Sequence, residues 1–212
     1  MSLTKRLNLG AGRLEKLDPQ RLKIFSTSEW VHLGDAKLRN PNNKHLQTVD
    51  YQRTDFIAFN YSIGDRLPFQ DKSFSFIFSE HFFEHLFLDE SISLFIECRR
   101  VLVENGVMRV VVPDADLRPI PERLGFPNEA IGYWCPEKHK TRWSIYSLMP
   151  ALTLSGFKAI PIKHYDKDGL LHDHTNSLDL GVYGGCLDFE VIRDFRIVKR
   201  RNSLIVDGIK WT

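Results

Sequence analysis

Apolar and polar positions alternate between two periods along this chain. Short runs rich in β-branched and aromatic residues predict strands at about 6–9, 30–33, 56–60, 74–78 and 107–112. The run Val107–Val112 reads VMRVVV, almost continuously apolar, as a strand covered on both faces requires. Between the last two strands, Leu88, Ile92, Phe95 and Leu102 recur at helical spacing, which predicts a helix over 89–102. Asp89 is placed to cap its first turn, and Asn105-Gly106 to stop it. Strand and helix signals that alternate in this way build a doubly wound α/β sheet through right-handed crossovers. Residues 118–141 break the pattern: Pro119, Pro121, Pro127 and Pro136 sit in a stretch without periodicity, read as a lid or insertion. A second helix is expected over 141–155, with Gly156 as its stop. From Lys158 onward two or more antiparallel strands are expected, Ser203–Ile209 the clearest, and 164–188 reads as an exposed excursion.

This order puts polar residues where an open α/β sheet binds ligands, outside the carboxyl ends of its parallel strands. The first strand runs directly into Gly10-Ala11-Gly12. Two glycines there permit a tight turn and a close backbone approach to a ligand, although a strand-to-helix turn uses them for geometry alone. The fourth strand ends in Ser79, Glu80 and His81, and the fifth in Pro113 and Asp114.

Composition narrows the class. A chain of 212 residues with 42% hydrophobic content fits one domain. The 29 basic and 27 acidic side chains leave a net charge of +2, without the basic excess of a general nucleic-acid-binding surface. Cys98, Cys135 and Cys186 are too far apart for a zinc knuckle or a disulfide framework, and Cys98 fits a small buried apolar residue. No secretory signal and no apolar run of membrane-spanning length is present, so a reduced, cytoplasmic, soluble protein is expected.

The segments LNLGAG, DRLPFQDKSFSFIFSEHFFEHL, RRVLVENGVMRVVVPD and SLIVDGIK together resemble class I S-adenosylmethionine-dependent methyltransferases, nearest to the methyltransferase type 11 group and its bacterial "predicted SAM-dependent methyltransferase" branch. The resemblance is strongest over 6–117 and extends weakly to the end through EKHKTRW, Gly156-Phe157, DKDG and the tail. It implies a Rossmann-like, mostly parallel doubly wound sheet with a C-terminal antiparallel hairpin. It divides a single domain into a cofactor-binding core (6–117), a lid (118–141) and a C-terminal helix with strands (142–212).

The same resemblance assigns cofactor contacts. The methionyl part of S-adenosylmethionine would lie over Asn8, Leu9, Gly10, Ala11 and Gly12, with Ser79 and Glu80 beside it. Asp35 would accept two hydrogen bonds from the ribose diol, or else cap a turn. The adenine partner falls at Ser62, where relatives often carry an acid, and Asp65 is nearby but shifted. Further departures are Arg13 in place of a small residue, Ser75 in place of an acid, and Glu104-Asn105-Gly106 in place of Pro-Gly-Gly.

Methyl transfer is a displacement at carbon, so alignment of acceptor and methyl group dominates and a base is needed only for an acceptor that loses a proton. His81 and Glu80 are the candidate bases; the other reading is that both support the loop. Asp114 would bind substrate or cap the following turn. His85 is expected one helical turn after His81, on the same face, packed under the site. The acceptor implied by relatives is a saccharide or small-metabolite hydroxyl. A catalytically degenerate binding or scaffold protein, suggested by Ser62, Ser75 and Asn105, is the alternative.

His81-Phe82-Phe83-Glu84-His85 also matches the H-x-x-E-H pattern of inverted zinc peptidases. It begins at a strand end in a nucleotide-fold pattern and marks no third ligand, so no metal is expected. His172, Asp173 and His174 read as a solvated loop, and Lys199-Arg200-Arg201 as a solvated turn. Phe76, Phe78, Phe82, Phe83 and Phe87 read as core and site wall. Trp134, Trp143 and His139 belong to an acceptor-side lid or to buried packing.

Overall fold

A computed structural model describes residues 5–11, 19–25, 27–34, 55–59, 61–117, 139–198 and 202–211. Gly12, Arg13, Asp35, the lid over 118–138 with Trp134 and Cys135, and Lys199-Arg200-Arg201 lie outside the described residues. The elements are β1 (Lys5–Leu9), α1 (Pro19–Phe25), β2 (Trp30–Gly34), β3 (Asp55–Ala58), β4 (Phe74–Glu80), α2 (Leu88–Val101), β5 (Leu102–Pro113), α3 (Ile145–Leu154), β6 (Lys158–Tyr165), β7 (Leu171–Asp173), α4 (Phe189–Arg193) and β8 (Ser203–Ile209). They form one eight-stranded sheet in the order β3-β2-β1-β4-β5-β8-β6-β7. The first five strands of that order are parallel, and β8 enters antiparallel between β5 and β6. Within the antiparallel end β6 and β7 form a hairpin, closed by the Asp166 N–H donating to the Leu170 carbonyl at 3.0 Å, and a longer connection carrying α4 leads from β7 to β8.

The period-2 geometry of β5 divides its apolar run between two cores. Met108, Val110 and Val112 join Leu7, Leu9, Leu33 and Ile77 under α2 and α3, whose Leu94, Phe95, Cys98, Leu148 and Leu152 cover that face. Val107 and Val111 join Trp30, Phe76, Phe78 and Ile205 on the other face, covered by Phe25 of α1 and by Tyr183, Ile192 and Ile197. Arg109 also lies on this second face, at 0% exposure. Its guanidinium forks onto its cross-strand neighbour Asp207 at 2.8 and 2.7 Å and donates to the Ile192 carbonyl at 2.6 Å. The Tyr183 hydroxyl donates to Asp207 at 2.7 Å. Burial and that carboxylate push the Tyr183 phenol up. The expected excursion at 164–188 is therefore anchored: it contains the end of β6, all of β7, and the buried Tyr183 and Cys186.

Several local expectations are corrected. The N-cap of α2 is Phe87, whose extended backbone lets Glu90 accept from its N–H at 2.8 Å, and Asp89 sits inside the first turn. The helix stops at Val101 because Leu102 is already extended, before Asn105-Gly106 is reached. Asn105 (φ +58°) instead bends the start of β5, where its N–H donates to the Lys210 carbonyl at 3.0 Å. α3 begins at Ile145, not 141, since Trp143 is held extended in a bridge to Asp114. Gly156 (φ +88°) does end that helix. Phe87 is exposed, unlike the other phenylalanines expected in core or wall. His172 and Asp173 lie on β7, where His172 pairs with Asp166 at 2.9 Å and stacks on His164.

Candidate active site

The carboxyl ends of β1, β2 and β4 and the loop after β3 frame a cleft of about 200 Å³. Leu9, Gly10, Leu33, Gly34, Phe59, Tyr61, Leu67, Phe82, Leu86 and Leu94 line it. Gly10 takes φ +71°, and a Cβ there would stand 2.4 Å from the Phe82 ring, so only glycine lets that ring close over the turn. The Ala11 N–H donates to the Leu33 carbonyl at 2.9 Å, which fixes the turn against β2. Leu67 is held by α2: Glu97 accepts from its N–H at 2.9 Å and Arg100 donates to its carbonyl at 3.1 Å. Arg100 also reaches the Phe69 carbonyl and Asp71, so one ion pair on the helix shapes the whole loop before β4. The Tyr61 hydroxyl donates to Ser93 at 2.7 Å and leaves its ring in the cleft wall.

The structure places the predicted cofactor residues differently from one another. Leu9 and Gly10 line the cleft and Ala11 is buried beside them. Ser79 pairs with Leu9 in register, and its hydroxyl is buried with no hydrogen-bond partner among the described residues. The Asn8 amide turns to the second face and donates to His32 Nδ1 at 3.2 Å. Ser62 is exposed: its N–H is taken by Asp65 at 2.9 Å in a tight turn, while Phe59 and Tyr61 do the lining there. Gly12 and Asp35 lie outside the described residues.

The predicted catalytic residues are each tied to a neighbour. Glu80 forms an ion pair with the buried Arg21 of α1. His81 takes φ +52°, which lifts the chain off β4 before the 3-10 turn Phe83–His85. Its Nδ1 stands 3.2 Å from Glu84 and its Nε2 3.0 Å from the Ser203 hydroxyl. Asp114 accepts from the N–H groups of Asp116 and Tyr165 at 3.0 and 2.8 Å, and burial pushes its carboxyl up to about 6 despite those bonds. It thus caps the turn after β5 and ties it to β6. Because of the left-handed residue, His81 and His85 do not share one helix, and His85 is 43% exposed at its side chain, not packed below the site.

No sequence pattern marks Ser203, Arg21 or Tyr61 as site residues. Ser203 reaches His81 only because β8 returns beside β5, a pairing with no local signal. Trp143 is buried and donates to the Phe83 carbonyl at 3.2 Å, which favours packing over a lid role.

Residues 32–110 match the family described as "Methyltransferase domain". No curated protein matches the sequence. Solved structures with the same fold include the Haloferax volcanii complex of a methyltransferase with the Trm112 methyltransferase activator, at 16% identity, TM-score 0.57, 99% of this chain and 84% of that one. A SAM-dependent methyltransferase from Archaeoglobus fulgidus aligns at 17% identity, TM-score 0.57, over 99% and 87% of the two chains. One from Thermotoga maritima aligns at 12% identity, TM-score 0.53, over 97% and 81%. The fold is that of class I S-adenosylmethionine-dependent methyltransferases.

Proposed function

We propose, from a methyltransferase-family match over residues 32–110 and a class I sheet, that this chain methylates an acceptor hydroxyl on a saccharide or small metabolite. The observation that carries the reading is the apolar cleft at the strand ends, with a side-chain-free Gly10 on its floor and the orphaned Ser79 hydroxyl beside Leu9. These groups fit S-adenosylmethionine, which when bound supplies an electrophilic methyl group. Leu9, Gly10 and Ala11 would hold its methionyl end together with Gly12, and Ser79 would donate to it. Asp35 would take the ribose diol. Phe59, Tyr61, Leu67 and Leu94 offer an apolar slot to a purine, in which orientation comes from few polar groups.

For the acceptor, His81 is the base. Glu84, 3.2 Å from its Nδ1, favours the proton on that nitrogen and leaves the Nε2 lone pair to accept one. That lone pair now faces Ser203. The serine, at 2% exposure, is too buried to serve as a nucleophile and acts as a place-holder that orients the ring. Glu80 and Asp114 hold the loops on either side through Arg21 and Tyr165. Among the described residues no helix is long and apolar enough to cross a membrane, and Cys98 and Cys186 are free buried thiols; a reducing cytoplasm suits both.

Glu80 and Asp114 are occupied by protein partners, and this favours the second reading, a catalytically silent methyltransferase fold that only binds. Radiolabelled methyl transfer from S-adenosylmethionine across a panel of saccharides and small metabolites separates the two. Label on a hydroxyl of at least one acceptor supports the enzyme; cofactor binding without any transfer supports the silent fold.

A further inference from the structure

We propose that Glu84, His85 and His139 form a binding site for a divalent transition-metal ion of the zinc class. One ligand atom from each lies within 4.8 Å of the others. Ligands at about 2.1 Å from a tetrahedral ion stand about 3.4 Å apart, so side-chain closure of roughly an ångström completes the set. His85 Nε2 is already 3.9 Å from Glu84 Oε1. Two imidazoles and one carboxylate suit zinc and its neighbours, and three protein ligands leave a position open.

The second observation is the state of Glu84. It is 2% exposed, yet neither carboxylate oxygen receives an aligned hydrogen bond among the described residues. A buried carboxylate whose nearest nitrogen, His81 Nδ1 at 3.2 Å, makes no aligned hydrogen bond is costly, and a cation between Glu84 and the two other histidines lowers that cost. The backbone prepares the geometry. The N–H groups of Lys140 and Thr141 donate to the Glu84 carbonyl at 2.7 and 3.2 Å, and the Thr141 hydroxyl to the Leu86 carbonyl at 2.7 Å. These bonds hold the His139 segment against the 3-10 turn, with the two rings edge-to-face at 5.0 Å. From the far side His81 Nδ1 approaches Glu84 at 3.2 Å, as outer partners commonly orient a metal-bound carboxylate. The arrangement differs from the peptidase reading of H-x-x-E-H. Here the first histidine faces Ser203, the glutamate is itself a ligand, and the third ligand comes from a distant segment.

The test uses the full chain, stripped with a chelator and then equilibrated with Zn²⁺, and in parallel with Co²⁺ for its visible spectrum. The expected result is one equivalent of zinc retained after dialysis and tetrahedral d–d bands with cobalt. His85→Ala and His139→Ala should each lower zinc affinity more than about tenfold, while His172→Ala on β7 leaves it unchanged. Both ligand variants lie at exposed or half-buried positions, and an unchanged thermal melt of the stripped protein verifies their fold. Sub-stoichiometric zinc in the wild type, or affinity indifferent to both substitutions, would overturn the site. The readout needs no methyl transfer, so a failed cofactor reading and a failed metal site are told apart by titrating S-adenosylhomocysteine into the same samples.

Discussion

Among single residues, Asp114 carries a carboxyl whose ionisation the fold resists. Its folded value near 6 lies above the ordinary 3.8. A carboxyl raised in this way binds its proton more tightly in the native state, so its contribution to stability is full below about pH 4 and falls as pH rises through 6. The difference of about two pH units corresponds to about 3 kcal/mol. Asp114→Asn should remove this slope: the wild-type minus variant stability, from urea melts, should decline between pH 4 and 6.5 and be flat above. At His81 the expectation is kinetic. His81→Gln should lower the rate of methyl transfer by about 10²–10⁴-fold and leave S-adenosylhomocysteine affinity within a few-fold, as a base that does not hold the cofactor requires. The sequence made the Gly10 turn and the Ser79-Glu80-His81 strand end legible, since strand ends in a sheet of this type are places for ligands. It did not disclose that Glu80 would be spent on Arg21, or that Ser203 would face His81, because those partners are set by tertiary pairing and not by local pattern.

Among elements, β5 and β8 are joined by the most deeply buried charges of the described residues, Arg109 and Asp207, both at 0% exposure. Arg109, Asp207 and Tyr183 close a network in which each hydrogen bond has a partner at 2.6–2.8 Å. Such a pair gives little net stability over apolar packing, but removal of one member strands the other. Arg109→Met should cost about 3–5 kcal/mol in chemical denaturation, and the Arg109→Met/Asp207→Leu double variant should recover part of that loss. Gly156→Ala is a milder probe: φ +88° and an Arg99 Nε 2.9 Å from the new Cβ should cost about 1–3 kcal/mol by the same melt. Here the sequence read unevenly. VMRVVV announced a strand buried on both faces, and the 3.6-residue period announced α2. The helix ends did not follow, because Phe87 capped with the help of Glu90 and Leu102 left the helix ahead of the glycine turn. The stretch 164–188 looked solvated from its His, Asp and Gly content, yet Tyr183 pins it to the sheet through a residue far away in sequence.

At the scale of the whole molecule, the parallel half of the sheet makes the cleft and the antiparallel half braces it. β8 supplies Ser203 behind His81, β6 donates to Asp114 through the Tyr165 N–H, and the segment between them covers the second face. The order of motifs along the chain sufficed to read the parallel half, since each strand-turn-helix unit is local. The insertion of β8 between β5 and β6 needed the fold, because nothing in the tail alone sets its neighbours. If the cleft beside Gly10 takes S-adenosylmethionine, calorimetric titration of S-adenosylhomocysteine will separate the wild type from Gly10→Asp. Micromolar binding at one site in the wild type, and no detectable heat in a folded Gly10→Asp protein, are the expected results. Absence of binding to well-folded wild type, or equal binding by both, would contradict a cofactor site in that cleft.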